Sequence, residues 1–126
     1  MGEHELWKTE PDESDYPAAA RYLGLLLDQE RSQTVARLLA EAPLLHHRAN
    51  DLLRASALPL LPSDDPEVAK DLKKVKKGKA LSPVLLVRGE LGRHRLAVAD
   101  GYHRICASYH LDEDTEIPCR MVALPA

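Results

Sequence analysis

The residues of this chain best suited to chemistry fall in one short run, Asp100-Gly101-Tyr102-His103-Arg104, behind the apolar stretch Leu96-Ala97-Val98-Ala99. The pattern predicts a short strand that turns at glycine directly into a helix. Glycine permits the turn and lets a ligand approach the backbone closely. The first amides of a helix lack intrahelical acceptors and carry the positive end of its dipole, so they favour an anion. Arg104 adds a planar fork that can grip two phosphate oxygens. His103 can donate a hydrogen bond, or act as acid or base near neutral pH. Asp100 reads first as a cap that accepts amide protons of the helix. Its functional alternative is to hold magnesium or to take a hydroxyl proton, as phosphate transfer would require. Asp100 and His103 are thus the candidate catalytic residues, and Gly101, Tyr102, His103 and Arg104 form a candidate phosphate loop.

The one strong charge block comprises Lys70, Lys73, Lys74, Lys76, Lys77 and Lys79. Most of it reads as the solvated side of a helix whose other side carries Val68, Leu72 and Val75. Lys77 and Lys79 flank Gly78 at the helix end, from where they could reach a polyphosphate at the Asp100 loop. A nucleic-acid backbone is a poorer guest, because few aromatics accompany the lysines and the chain carries a net charge of −3.

Several elements must position that loop. Residues 1–14 are polar, with Trp7 the only bulky side chain, and read as a loosely held arm. Asp15 and Pro17 suit the start of a helix over 16–28 carrying Leu23, Leu26 and Leu27. Ser32 suits the cap of a second, with Val35, Leu38, Leu39 and Ala42 on one stripe before Pro43. A third is expected over roughly 44–56, presenting Leu45, Ala49, Leu52 and Leu53. The first half, residues 1–56, is therefore expected to be an arm and a helical hairpin or small bundle.

From residue 57 to 126 the pattern changes to a compact α/β unit. Leu58-Pro59-Leu60-Leu61 is at most an edge strand, since proline cannot donate to a ladder. Asp64-Asp65-Pro66-Glu67 starts a helix that Gly78 ends. Pro83 to Val87 reads as a buried strand, Gly89-Glu90-Leu91-Gly92 as a hairpin turn, and 95–99 as the returning strand. The helix bearing the loop covers about 102–110, and Ile117 to Val122 closes the fold as a last strand. The fold class expected is α/β (α+β), a small mixed sheet with helices behind a helical extension.

At 126 residues the chain fits one domain. Phe is absent and there is one Trp, so Leu, Val and Ala must build the interior. No apolar run approaches the roughly 18 residues of a spanning helix, and Met1-Gly2-Glu3-His4-Glu5 lacks the pattern of a secretion signal. A cytoplasmic protein without membrane contact is expected. Cys106 and Cys119 are expected to pack as small apolar groups rather than to react. His46-His47 on a helix would diverge by about 100° and could not chelate together, so no metal site is expected. Ser32 to Arg37 faintly suggests a helix-turn-helix, but its dense leucines favour packing. Those stripes could also cover a partner or a second copy of the chain, making a homodimer through the N-terminal helices. His94, Tyr109 and His110 have no distinctive spacing.

The order of elements over about 57–123, with this loop in this place, resembles the ParB/sulfiredoxin-like superfamily. The resemblance rests on Leu58 to Leu61 as the opening strand, Pro66 to Lys77 as the first helix, the proline-led strand Leu81 to Val87, the run Ala99 to Ala107, and Ile117-Pro118-Cys119-Arg120 as the closing strand. Such proteins bind ATP, CTP or ADP, and the resemblance implies a phosphate cradle at Gly101 to Arg104 with Lys79 and Ser82 as further contacts. Tyr102 stands where sulfiredoxins carry their reactive cysteine, so sulfinic acid reduction is not implied. The loop also lacks the Glu and second Arg of ParB proteins, and the chain ends at Ala126 with no helix-turn-helix after it, so DNA clamping is not expected. The clustered acids of a metal nuclease are missing too, although Asp64, Asp65 and Asp112 to Asp114 could converge.

Three functions follow. One is a regulatory module that binds a nucleotide or another phosphate-bearing small molecule. The second is a magnesium-dependent nucleotide hydrolase or phosphotransferase with Asp100 or His103 as base. The third is a ligand-free protein-interaction or nucleic-acid-associated module.

Overall fold

The computed structural model describes residues 6–125. Five helices surround a four-stranded mixed sheet: α1 (Asp15–Leu23), α2 (Gln29–Glu41), β1 (Leu44–Arg48), α3 (Ala49–Ser56), α4 (Pro66–Lys76), β2 (Val84–Val87), β3 (Ala97–Asp100), α5 (Tyr102–Leu111) and β4 (Glu116–Val122). The sheet order is β1-β4-β2-β3. β4 runs parallel to β2 and antiparallel to β1, and β3 is antiparallel to β2. No described helix is long and apolar enough to cross a membrane. The first five residues of the acidic arm lie outside the described residues.

Helices cover both faces of the sheet, which explains why β2 reads as an unbroken apolar run. Side chains alternate along a strand, so Val84 and Leu86 face one core and Leu85 and Val87 the other. The first core joins Leu52 and Leu53 of α3, Val68 of α4, Ile105 and Cys106 of α5, and Ile117 and Cys119 of β4. The second joins Ala19 and Leu23 of α1 to Val35 and Leu39 of α2, with Ala99 of β3 beneath.

Three expectations require correction. The segment 44–56 is not one helix: residues 44–48 form β1, with Leu45 opposite Cys119 and His47 opposite Ile117. Pairing there covers the otherwise open edge of β4, and α3 begins only where Thr115 and Glu113 carbonyls accept the amides of Ala49 and Asn50. His46 and His47 therefore point to opposite faces of a strand. Among the described residues no group of three or more His, Cys, Asp or Glu could hold a metal.

Residues 58–61 form no strand. Side chains of α5 tie this segment instead: the Tyr102 hydroxyl donates to the Pro59 carbonyl at 2.6 Å, and His110 Nε2 lies 2.7 Å from the Leu61 carbonyl. A carbonyl only accepts, so Nε2 of His110 carries the proton. Positions 102, 106 and 110 share one stripe of α5.

The first two helices are also capped differently from the sequence reading. Asp15 is the first residue of α1 rather than its cap, and α1 ends at Leu23, leaving Leu26 exposed. Asp28 caps α2 by accepting the Arg31 amide at 2.8 Å, while the Ser32 hydroxyl turns back to the Gln29 carbonyl. At α4 the local signals hold: Asp65 accepts the amides of Glu67 and Val68, Pro66 opens the helix, and Gly78 turns the chain out at φ +83°.

Candidate functional site

The loop after β3 opens on a polar recess of about 270 Å³. Gly101, Tyr102, His103 and Arg104 form one wall, α4 contributes Glu67, Lys70, Asp71 and Lys74, and the remaining sides come from Ser82, Asp100, Lys8 and Asp12. At the start of α5 the first backbone bond is that from the Ile105 amide to the Gly101 carbonyl, 3.0 Å. The amides of Tyr102, His103 and Arg104 thus have no intrahelical acceptor, and no side chain caps the helix. The recess carries four basic residues, Lys8, Lys70, Lys74 and Arg104, and four acidic ones, Asp12, Glu67, Asp71 and Asp100.

Asp100 does not cap α5. Its carboxylate accepts from Arg104 Nη2 at 2.8 Å, a pair that bends across the first turn of the helix instead of serving its amides. Burial pushes the Asp100 carboxyl above the ordinary range; Arg104 opposes that shift and neighbouring Asp15 adds to it. Arg104 is held on a second side by Asp15, whose Oδ2 lies 3.6 Å from Nη1. Its side chain is 15% exposed, and its Nε is buried with no hydrogen-bond partner among the described residues. The fork is therefore part of the fold as well as part of the recess.

The glycine has a structural reason of its own. Gly101 adopts φ +110°, and a Cβ there would lie 2.4 Å from Val84 Cγ1 and 2.8 Å from Arg104 Nη2. The close approach that glycine permits is to Val84 and Arg104 of the chain itself. Tyr102 is likewise committed, its hydroxyl to Pro59 and its ring tilted against that of His103 at 5.4 Å between centroids. His103 keeps both ring nitrogens free of protein partners among the described residues. Ser82 lines the recess, yet its hydroxyl donates to Asp15 and accepts the Asp12 amide. Lys79 is not among the lining residues; Lys70 and Lys74, one and two turns into α4, stand in its place.

Asp71 was overlooked at the level of sequence. It is buried on α4, 4.0 Å from Lys74, and burial pushes its carboxyl up while Lys74, Arg104 and His103 hold it down. The signal was there: positions 68, 71, 72 and 75 form one helical stripe, so an acid stood on the apolar side amid a run of lysines. The arm was also underrated. Trp7 makes a parallel bridge with Leu81, and the Lys8 amide donates to the Leu81 carbonyl at 2.7 Å.

Comparison with protein-family models, curated proteins and solved structures returns no match for this chain. Elsewhere, a larger recess of about 580 Å³ lies at the opposite end of the sheet, between α3 and the loop joining β2 to β3. Leu52, Ala55, Leu96 and Met121 line its floor, and it contains none of the candidate catalytic or phosphate-binding residues. Cys106 and Cys119 are buried and unbridged. Burial pushes both thiols up, Cys119 to about 12, so neither is poised as a thiolate.

Proposed function

We propose that this protein is a regulatory module of the ParB/sulfiredoxin-like type that binds a nucleotide or another phosphate-bearing small molecule at the start of α5. The observation that carries this reading is the set of three amides, Tyr102 to Arg104, left without intrahelical acceptors beside a polar recess. An oxyanion there would receive backbone donors, the positive end of the helix and the side chain of His103. Lys70 and Lys74 would neutralise the outer phosphates of a polyphosphate. Arg104 would contribute its remaining donor capacity only by giving up contact with a carboxylate.

A second reading, magnesium-dependent hydrolysis or transfer of phosphate, draws on a separate observation. Two carboxyls, Asp71 and Asp100, line the same recess, where a carboxylate can hold magnesium or take a hydroxyl proton.

A thermal-shift and turnover panel of ATP, CTP and pyrophosphate, with and without magnesium, separates the readings. Stabilisation without turnover, weakened about tenfold or more by the surface change Lys70→Glu, is the expected result; tenfold corresponds to about 1.4 kcal/mol. Magnesium-dependent loss of the nucleotide selects the enzyme. No shift with any of the three leaves a ligand-free interaction module.

A further inference from the structure

The N-terminal segment places a carboxylate against two residues that border the recess, Ser82 and Arg104. Asp15, at the first turn of α1, is 8% exposed. Its Oδ2 accepts from the Ser82 hydroxyl and from the Asp12 amide at 3.2 Å, and lies 3.6 Å from Arg104 Nη1. A hydroxyl, a backbone amide and a guanidinium converging on one oxygen make the donor set of an oxyanion site, already filled from within. The preceding residues form a strap across the same edge. Leu81 exchanges two backbone bonds with it, donating to the Leu6 carbonyl at 2.8 Å and accepting from Lys8. The Asp12 amide also donates to Ser82 at 3.0 Å, and Lys8 pairs with Asp12 at 2.8 Å on the rim of the recess.

We infer that Asp15 is a built-in competitor for the anion, so that the strap of residues 6–15 and an oxyanion ligand exclude one another at Arg104 and Ser82. This rests on the proposed phosphate site and gives the N-terminal extension a role: it sets the threshold for binding, and occupancy frees it. The bonds that hold the strap end at Asp12 and Asp15, so a ligand that takes Ser82 and Arg104 removes its final attachment. What remains is the bridge at Leu81, the packing of Trp7 against the main core and the 3.9 Å pair of Glu10 with Arg120. Carboxylate and phosphate are both anions, so the competition is direct, and it disappears when the internal carboxylate is made neutral.

The test compares wild type with Asp15→Asn, which keeps the shape and a hydrogen-bond acceptor, by calorimetric titration with pyrophosphate. The expected result is binding at least tenfold tighter in Asp15→Asn. Equal or weaker binding by a folded Asp15→Asn overturns the inference while leaving the phosphate site standing. Absence of binding by both proteins to pyrophosphate, ATP and CTP removes the site itself, and the inference with it. A second measurement uses only the wild-type chain: amide hydrogen exchange at Lys8 and Leu81, whose bonds exist only with the strap in place. Saturating pyrophosphate is expected to speed their exchange severalfold; unchanged or slower exchange at saturation overturns the competition.

Discussion

Gly101→Ala should damage the fold far more than an ordinary glycine substitution. The backbone there lies at φ +110°, and the new Cβ would meet Val84 Cγ1 at 2.4 Å and Val84 Cβ at 2.9 Å. Holding a non-glycine residue in such a region costs roughly 1–3 kcal/mol. Val84 is wholly buried, so the contact must be relieved by moving a packed strand, a further cost of roughly 1–3 kcal/mol. Together these amount to about 2–6 kcal/mol, a large part of the 5–15 kcal/mol typical of a folded domain. At about 3–5 °C per kcal/mol for a chain of this size, the melting temperature should fall by roughly 6–30 °C. Gly92→Ala is the control: its φ is +81° with nothing within 4 Å of the added Cβ, so backbone strain of about 1 kcal/mol acts alone. Urea unfolding of both variants measures the difference. Placing Gly101→Ala in a Val84→Ala background should recover about 1 kcal/mol, since the 2.4 Å contact with Cγ1 is removed while the 2.9 Å contact with Cβ stays. Equal losses in the two glycine variants, or no recovery with Val84→Ala, would refute the assignment of this glycine to packing. The same result bears on function, because lost ligand binding in Gly101→Ala would report a shifted β2 and not a missing phosphate contact.

Two further perturbations probe the carboxylate pair around Arg104. Arg104→Ala leaves Asp15 and Asp100 facing one another without their cation and should destabilise by roughly 2–4 kcal/mol in urea unfolding, near the lower end for breaking a buried pair because both ends keep some water. A loss under about 0.5 kcal/mol, within the scatter of surface substitutions, would mean that Arg104 does not hold the fold. The pH dependence follows from Asp100, whose folded pKa is raised above the ordinary 3.8 by burial. The folded chain then binds the proton more tightly than the unfolded one, so this group's contribution is most favourable below that value and declines as pH climbs through the raised folded value. Unfolding midpoints between pH 3.5 and 7 should therefore show wild type losing stability relative to Asp100→Asn as the pH increases; the opposite trend would mean that the Arg104 pair outweighs burial.

What could be read from the residues followed how local each signal was. Asp65-Pro66 fixes the start of α4 through bonds two and three residues away, and Gly78 ends it, so both boundaries were legible. The apolar run of β2 and the strand-to-helix turn at Gly101 were equally local. β1 was not, because Leu45, Ala49, Leu52 and Leu53 fit a helical stripe, while what makes 44–48 a strand is its pairing with β4 near the other end of the chain. The commitments of the site residues were hidden for the same reason. Nothing near Ser82 announces a partner 67 residues earlier, and nothing near Tyr102 announces the Pro59 carbonyl 43 residues away. Proline's missing amide allowed 58–61 an edge strand at most, and even that does not form: the side chains of α5 supply the hydrogen bonds instead. Asp71 could have been found, since an acid on an apolar stripe marks either a mistake in the stripe or a buried carboxyl.

The central claim is that the unfilled amides at the start of α5 receive the oxygens of a phosphate. Amide chemical shifts followed during a pyrophosphate titration of the wild-type chain examine those groups themselves. The largest saturable changes are expected on Tyr102, His103 and Arg104, with smaller ones at Ser82 and Asp12 as the strap yields. Saturable changes centred elsewhere, such as the loop from Arg88 to Leu96 beside the larger recess, or none anywhere, would contradict it.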